Sequence, residues 1–143
     1  MTSEPKETIT VDANPFAVGT SRGKARAVLF SGKFIFITAE YTIWEVKKYI
    51  PELSNQSGVP ASDLLFTFDH FPILSVPSVV YDEKRQQAAN LIAHRDPKDV
   101  DILALALKFN TPLWTNDRDF QTLSELKIFT TADILEKLAA LTV

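Results

Sequence analysis

The sequence predicts an α/β protein in which helices cover both faces of a parallel β-sheet. Short apolar stretches alternate along the chain with longer stretches of helical periodicity. This alternation is typical of βαβ units, whose strands run parallel and whose helices pack on the sheet. The length of 143 residues fits one domain over residues 1–143, with residues 1–7 as a short polar tail.

The individual elements follow from local patterns. The apolar stretches predict strands at residues 9–11, 34–37, 73–76, 113–114 and 128–129. The intervening patterns predict helices at residues 21–30, 39–50, 61–71, 78–94, 97–109, 119–123 and 131–141. Thr38 is placed to cap the second of these helices and Pro51 to end it. Gly19 and Gly23 predict that the first helix starts late.

The composition restricts the chemistry that the chain can support. It contains no cysteine, which excludes disulfides, thiolate zinc sites and cysteine nucleophiles. With only two histidines, His70 and His94, a histidine-based metal site is not expected. A bound metal would therefore be held by oxygen atoms, which favours Mg²⁺ or Mn²⁺.

Hydropathy and charge restrict the partners. No apolar run approaches the roughly 20 residues that a membrane-spanning helix needs. The first residues, MTSEPKE, lack the basic start and apolar centre of a signal peptide. We therefore expect a cytoplasmic protein with no membrane partner. The net charge of −3 argues against nucleic-acid binding, unless several acids surround a cation that reverses the local charge.

Two acids directly follow predicted strands. Asp12 follows the first strand, and Asp117 lies just beyond the fourth. The carboxyl ends of parallel strands meet at one edge of the sheet, where open α/β sheets bind their ligands. Aspartate is also common after strands as a turn former or helix cap, so neither residue identifies a site by itself.

Glu45 lies on the predicted helix 39–50 between the apolar residues Trp44 and Val46. This position predicts an acid on the border of the core. Burial without a partner would be costly for a charged group, so a cation is expected beside Glu45. Either a metal ion or a nearby lysine or arginine would provide it.

The acids of the helix after residue 96 are separated by their spacing. Asp96 precedes a proline and is predicted to cap the helix. Asp99 shares a face with Leu103, which predicts a position at the top of the buried stripe. Asp101 shares a face with Lys108 and is therefore predicted to be solvated.

Four separated acids thus converge on one sheet edge: Asp12, Glu45, Asp99 and Asp117. Asp119 lies two residues further on and is predicted to cap the next short helix. Carboxylates that lie this close repel one another unless a cation is present. Such a cluster is unfavourable for stability and well suited to Mg²⁺ or Mn²⁺.

Four segments match the pattern of the PIN-domain family: VDAN at 11–14, TIWEV at 42–46, RDPKDVDILALAL at 95–107 and WTNDRDF at 114–120. Their order and spacing agree over residues 9–141. The chain therefore resembles PIN-like nucleases, including toxins of bacterial and archaeal toxin–antitoxin pairs. The resemblance implies a three-layer α/β/α fold with a five-stranded parallel sheet of order 3-2-1-4-5. It also implies a homodimer and an antitoxin protein as partner.

The resemblance further implies cleavage of single-stranded RNA at phosphodiester bonds, dependent on Mg²⁺ or Mn²⁺. Four residues match the catalytic and metal-binding acids of the family: Asp12, Glu45, Asp99 and Asp117. Asp119 matches an additional metal-binding acid, and Asn14 and Thr115 match polar supporting positions. One or two metal ions, about 3.5–4 Å apart if two, would activate a water and offset charge on the leaving oxygen.

Several basic side chains are candidates for contact with RNA phosphates: Arg22, Lys24, Lys47, Lys48 and Arg118. Ordinary surface charge is the preferred explanation for any one of them alone.

Two other functions remain open. A non-catalytic PIN-like module would bind RNA or a protein, but it would not need all four acids. A receiver-type phosphoacceptor domain also carries aspartates at strand ends. It normally has a paired acid near the first strand and a lysine beyond a late strand, whereas here Ala13-Asn14 and Thr130-Thr131 occupy those positions.

Overall fold

The computed structural model describes residues 5–21, 23–92 and 96–141 of the chain. The strands in this part of the chain are β1 (Glu7–Val11), β2 (Phe34–Ala39), β3 (Ile73–Val76), β4 (Leu113–Trp114) and β5 (Ile128–Phe129). The α-helices in the same residues are α1 (Ala13–Ser21), α2 (Gly23–Leu29), α3 (Glu40–Ser57), α4 (Ala61–Asp69), α5 (Ser78–Tyr81), α6 (Arg85–Ile92), α7 (Val100–Phe109) and α8 (Thr131–Leu141).

The five strands within the described residues form one parallel sheet in the order β3-β2-β1-β4-β5. Ile9 of β1 pairs with Phe36 of β2, and Val11 pairs with Trp114 of β4. This confirms the parallel α/β sheet and the strand order that the family resemblance implied. The same order excludes the receiver-type alternative, whose sheet has the order 2-1-3-4-5.

Each face of the sheet carries its own hydrophobic core, because successive strand residues point to opposite faces. Phe34 and Phe36 of β2 lie in a core shared with α1, α2, α3, α4 and α8. Ile37 and Ala39 of the same strand pack in a second core with α5, α6 and α7. The expected three-layer arrangement of helices, sheet and helices is therefore confirmed.

The strand order reverses between β1 and β4, and ligands of open α/β sheets bind at such a switch point. The backbone N–H of Asp12 donates to the carbonyl of Trp114 at 3.0 Å, one residue beyond the end of β1. The segments that begin at Asp12 and Thr115 therefore leave the sheet side by side. This places the first predicted acid next to the loop that carries Asp117.

Several predicted elements are confirmed with small shifts at their ends. The strands 73–76, 113–114 and 128–129 and the helix 131–141 have the predicted bounds. β1 starts at Glu7, so the predicted tail is shorter than expected, and residues 1–4 lie outside the described part of the chain.

The predicted late start of the first helix is wrong, because α1 begins at Ala13 directly after Asp12. Phe16 of α1 is 1% exposed and belongs to the same core as Leu29 of α2. Burial of these apolar side chains outweighs the low helix propensity of Gly19. A Cβ atom on Gly19 would lie 2.8 Å from Cδ1 of Leu29, so glycine also permits close packing of the two helices.

The predicted end of α3 at Pro51 is also wrong, because the helix continues to Ser57. Proline removes one backbone donor from the helix, but Ile50 is buried and anchors this part of α3. The helix ends at Gly58, whose φ of 74° is left-handed and whose N–H donates to the carbonyl of Ser54 at 3.0 Å. Glycine takes this conformation without the strain that a side chain adds.

Thr38 does not cap α3 as predicted. It lies in β2, and its hydroxyl donates to the carbonyl of Val11 in the neighbouring strand at 2.7 Å. The residue before α3 is Ala39, which makes no side-chain capping bond. The hydroxyl of Thr38 therefore joins two strands instead of starting a helix.

Two predicted helices are interrupted or replaced. The stretch 78–94 is divided into α5 and α6 by a 3₁₀ turn at Asp82–Lys84, and its last residues fall within 93–95, outside the described residues. The stretch 119–123 is a 3₁₀ turn at Arg118–Phe120 instead of a helix. Among the described helices, none combines the length and apolarity that crossing a membrane requires.

Candidate active site

Asp12 is 8% exposed at the carboxyl end of β1. Its carboxylate accepts two hydrogen bonds, from the backbone N–H of Ala13 to Oδ1 at 2.7 Å and from the Thr115 hydroxyl to Oδ2 at 2.8 Å. Burial raises the pKa of Asp12, and the charge of Asp117 adds to the increase, while the two hydrogen bonds oppose it. Asp12 is thus a carboxylate that two hydrogen bonds hold in place and whose charged form is disfavoured by burial.

Thr115 connects Asp12 to Asp117. Its hydroxyl donates to Asp12 and accepts the backbone N–H of Asp117 at 3.0 Å. The Asp117 carboxylate caps the 3₁₀ turn that follows, because its Oδ1 accepts the backbone N–H of Asp119 at 2.9 Å. The prediction that Asp119 is the cap of this turn is therefore wrong, and Asp119 lies exposed in the turn itself.

Glu45 on α3 and Asp99 before α7 complete the group of acids. Burial is the largest cause of a raised pKa for both carboxyls, and the charge of Asp12 is the next. The pKa of Asp99 rises to about 7, with further contributions from Asp96, Asp117 and Glu45. The four predicted acids therefore lie within electrostatic reach of one another, and we call them the four-acid cluster.

The donor set of the four-acid cluster fits a hard divalent cation. All of its donors are carboxylate oxygens, which Mg²⁺ and Mn²⁺ prefer. Within residues 5–21, 23–92 and 96–141, no three acidic or histidine side chains are already arranged to hold an ion. Glu45, Asp99 and Asp117 would complete the set of ligands around the Asp12 carboxylate, which two hydrogen bonds hold in place.

Asn14 is joined to the loop after β4 through Asn116. The Asn116 amide donates to Asn14 Oδ1 and to the Thr131 hydroxyl, both at 3.0 Å. In return, the backbone N–H of Thr131 donates to Asn116 Oδ1 at 3.0 Å. Asn116 therefore fixes the loop that carries Asp117, a role that the sequence signalled only through its position beside that acid.

The prediction that Asp101 is solvated is wrong. Asp101 is 9% exposed, and its Oδ2 accepts the Tyr81 hydroxyl at 2.5 Å and Nη1 of Arg85 at 2.8 Å. The reason is that α5 and α6 cover α7, so that residues 100–106 are all buried and Lys108 reaches solvent only in the last turn. Asp96 does have the predicted capping role, since its Oδ1 accepts the backbone N–H of residue 98.

The basic residues that are predicted to contact phosphate and that the structure describes lie on α2, on α3 and in the turn after Asp117. Lys24 on α2 and Arg118 beside Asp117 are exposed. Lys47 lies 3.7 Å from a carboxylate oxygen of Asp69 in an exposed ion pair with α4. Arg22 lies outside the described residues.

Two lysines act on the four-acid cluster: Lys48, one of the residues predicted to contact phosphate, and Lys98. The charges of Lys98 and Lys48 lower the pKa of Glu45, although the upward effect of burial is larger. Lys98 was not predicted as a site residue. Its position between two acids in the stretch DPKD was the available signal.

Trp44, an apolar neighbour of Glu45 on α3, is 53% exposed. The buried face of this helix is formed by Thr42, Val46 and Ile50, at intervals of four residues. Trp44 lies outside that face and packs against Tyr41, with ring centres 5.5 Å apart. An exposed aromatic pair therefore lies directly before Glu45 on the same helix.

Solved structures of known proteins share this fold. VapBC2 from Rickettsia felis, bound to a DNA fragment from their promoter, has a TM-score of 0.61 and 14% identity over 86% of this chain and 98% of that chain. PAE2754 from Pyrobaculum aerophilum has a TM-score of 0.63 and 18% identity over 94% of this chain and 90% of that chain. FitAcB from Neisseria gonorrhoeae has a TM-score of 0.53 and 17% identity over 87% and 98%.

No curated protein is similar enough in sequence to count as a relative. The family of the PIN domain, in contrast, matches residues 10–139. This match runs from β1 into α8 and includes every member of the four-acid cluster. The chain therefore belongs to the PIN domain family.

Proposed function

We propose that this protein is a metal-dependent endoribonuclease that hydrolyses phosphodiester bonds of single-stranded RNA. The observation that carries the proposal is the four-acid cluster at the switch point of the sheet, formed by residues from four separate segments. Burial and mutual repulsion raise the pKa of Asp12, Glu45 and Asp99. Membership of the PIN domain family supports nuclease-type activity.

In this proposal Mg²⁺ or Mn²⁺ is held by Asp12, Glu45, Asp99 and Asp117, with Asp119 as an additional acid. The ion would supply a bound water of lowered pKa and offset charge on the leaving oxygen. Thr115 keeps the Asp12 carboxylate oriented, and Asn14 steadies the neighbouring loop through Asn116. Lys98 and Lys48 carry positive charge to the border of the cluster, where an RNA phosphate would approach.

The proposal also covers the setting of the activity. Two structures with this fold, VapBC2 and FitAB, were solved bound to DNA fragments. From the family resemblance we propose a cytoplasmic, homodimeric nuclease toxin whose partner is an antitoxin protein. Co-expression with the product of a neighbouring gene tests this part, and the proposal expects the two proteins to purify as one complex.

Cleavage of a single-stranded RNA tests the activity itself. Rates are measured with Mn²⁺, Mg²⁺ or EDTA for the wild type, Asp99→Asn and the control Asp63→Asn, which changes an exposed acid on α4. EDTA should abolish cleavage, and Asp99→Asn should slow it by about 100-fold or more, since even residues that only support a metal ligand give 10–100-fold effects. Asp63→Asn should match the wild type.

Cleavage that persists in EDTA, or that Asp99→Asn leaves unchanged, would contradict the proposal. RNA binding without cleavage under all metal conditions would instead favour the non-catalytic module.

A further inference from the structure

A cleft of about 690 Å³ opens beside the four-acid cluster. Its walls come from α3 and from the segment that starts α7, and its lining includes Tyr41, Trp44, Arg85, Lys98 and Asp101. We propose that this cleft binds an unpaired nucleobase of the RNA strand, with Trp44 and Tyr41 as the stacking surface. The inference rests on the proposed function, because it assigns part of the substrate to a site next to the acids.

The aromatic pair has the properties of a stacking surface. Trp44 is 53% exposed although its large ring would gain from burial. The rings of Trp44 and Tyr41 pack against each other, tilted by 37° with centres 5.5 Å apart, and both residues line the cleft. Single-stranded RNA is recognised chiefly by stacking unpaired bases on aromatic side chains. A base in the cleft would bury more of the exposed Trp44 ring.

Two residues that line the cleft are sequence neighbours of acids in the four-acid cluster, although the four acids themselves do not line it. Trp44 directly precedes Glu45, and Lys98 directly precedes Asp99. Burial and the charge of Glu45 raise the pKa of the Tyr41 hydroxyl, while the charge of Lys98 lowers it. Lys98 therefore acts on both the aromatic wall and the acids, and a strand whose phosphate lies at the acids would bring a neighbouring base to the cleft.

The cations at the cleft suit the backbone of the same strand. Lys48 is exposed, with its ammonium 4.4 Å from the centre of the Trp44 ring. Lys48 is not among the residues that line the cleft, so its ammonium offers positive charge to a phosphate just outside it. Lys98 is exposed on the opposite wall, at the start of α7. A purely hydrophobic partner would gain nothing from these charges.

The floor of the cleft is rigid before any ligand binds. Asp101 accepts hydrogen bonds from Tyr81 and Arg85, and all three residues line the cleft. Arg85 also lies 3.9 Å from Asp82, so its guanidinium is held on two sides. A pre-organised floor lowers the entropy cost of holding a base in one position.

Tryptophan fluorescence can report on this cleft directly. The chain has two tryptophans, and Trp114 is fully buried whereas Trp44 is exposed. Titrations use Asp99→Asn protein, in which cleavage is slowed, with a short single-stranded RNA and with an abasic ribose-phosphate strand of the same length. Both strands are also prepared with a terminal dye, whose anisotropy reports the affinity of variants that lack Trp44. We compare Asp99→Asn alone with Asp99→Asn proteins that also carry Trp44→Ala, Trp44→Phe or the control Phe66→Ala. The control truncates an exposed aromatic residue on α4.

We expect the RNA, but not the abasic strand, to quench the emission of Trp44. Trp44→Ala should weaken RNA binding by roughly 5- to 100-fold, as loss of one base–aromatic stack does, while Trp44→Phe should keep most of the affinity. Phe66→Ala should have no effect. Equal binding of the abasic strand, or RNA affinity that Trp44→Ala leaves unchanged, would overturn the inference and leave the cleft to a protein partner. These titrations need no cleavage, so a failure of the proposed activity would be recognised separately.

Discussion

Asp99 shows how the site works at the scale of single residues. Its pKa is raised to about 7 by burial first and then by neighbouring carboxylates, whereas the unfolded chain has the ordinary value near 3.9. The folded protein therefore holds the Asp99 proton more tightly than the unfolded chain. This contribution to stability is fully present below about pH 4 and is lost as the pH rises through about 7.

The variant Asp99→Asn should therefore stabilise the metal-free protein at high pH. At pH 8 we expect its free energy of unfolding to exceed that of the wild type by about 1–2 kcal/mol, after allowance for solvent screening of a half-exposed group. The difference should become smaller towards pH 5, because the folded wild type is then protonated at this position. Urea denaturation in EDTA at both pH values measures it. If the difference in unfolding free energy were equal at the two pH values, the raised pKa of Asp99 would not be its cause.

Thr115 is the second residue whose role is specific enough to test. The variant Thr115→Val keeps the shape of the side chain but removes the hydroxyl that donates to Asp12 and accepts the N–H of Asp117. We expect RNA cleavage to fall by about 10–100-fold, because the carboxylate loses its orientation. The unfolding free energy should fall by about 1–3 kcal/mol, since a buried acceptor loses its partner.

Thr115→Ser is the matched control, because it retains the hydroxyl. It should keep most of the activity in the same cleavage assay. If serine and valine at this position gave the same rate, the hydrogen bond to Asp12 would not be the reason for the loss.

At the scale of elements, apolar patterns were sufficient for strands and insufficient for helix ends and faces. Strands such as β4 are buried on both sides of the sheet and so consist of continuous apolar residues, which the sequence shows directly. The prediction that Asp101 is solvated was wrong because it took one lysine at the end of α7 to represent the whole helix face. Whether a helix face is covered depends on its neighbours, here α5 and α6, and not on its own sequence.

The end of α3 provides a test at this scale. Pro51→Ala should raise the unfolding free energy by about 1–2 kcal/mol, because alanine restores a backbone hydrogen bond inside the helix. Part of the gain is offset because proline also restricts the unfolded chain. Gly58→Ala should lower the unfolding free energy by about 1 kcal/mol or more, since φ at this position is 74°. Denaturation curves measure both, and a loss of stability in Pro51→Ala would contradict this account of the helix.

At the scale of the whole molecule, the order of the strands brings distant acids together. The sequence predicted this group because Asp12 and Asp117 follow strands whose carboxyl ends share an edge, and the family resemblance supplied Glu45. The cleft beside Trp44 was not predicted, because its walls come from α3 and α7, which meet only in the folded chain. Asn116 and Lys98 were missed because only their positions beside predicted acids marked them in the sequence.

Metal binding should be visible in the stability of the whole protein. If the four-acid cluster binds Mn²⁺ only when folded, millimolar Mn²⁺ should raise the melting temperature by mass action, with about 2.7 kcal/mol gained at 100 times the Kd. The increase should be much smaller for Asp99→Asn and unchanged for Asp63→Asn. Thermal melting with Mn²⁺ or EDTA measures this, and equal increases in all three proteins would place the bound metal elsewhere.

The most direct test of the central claim is the chemistry of the cut itself. RNA is cleaved with Mn²⁺ in water enriched in ¹⁸O, and the fragment ends are analysed by mass spectrometry. If the four-acid cluster supports attack by a metal-activated water, the new phosphate ends carry ¹⁸O, no cyclic phosphate forms, and EDTA stops the reaction. Cyclic phosphate ends without ¹⁸O, formed equally well in EDTA, would show that the RNA attacks its own backbone and would contradict the account.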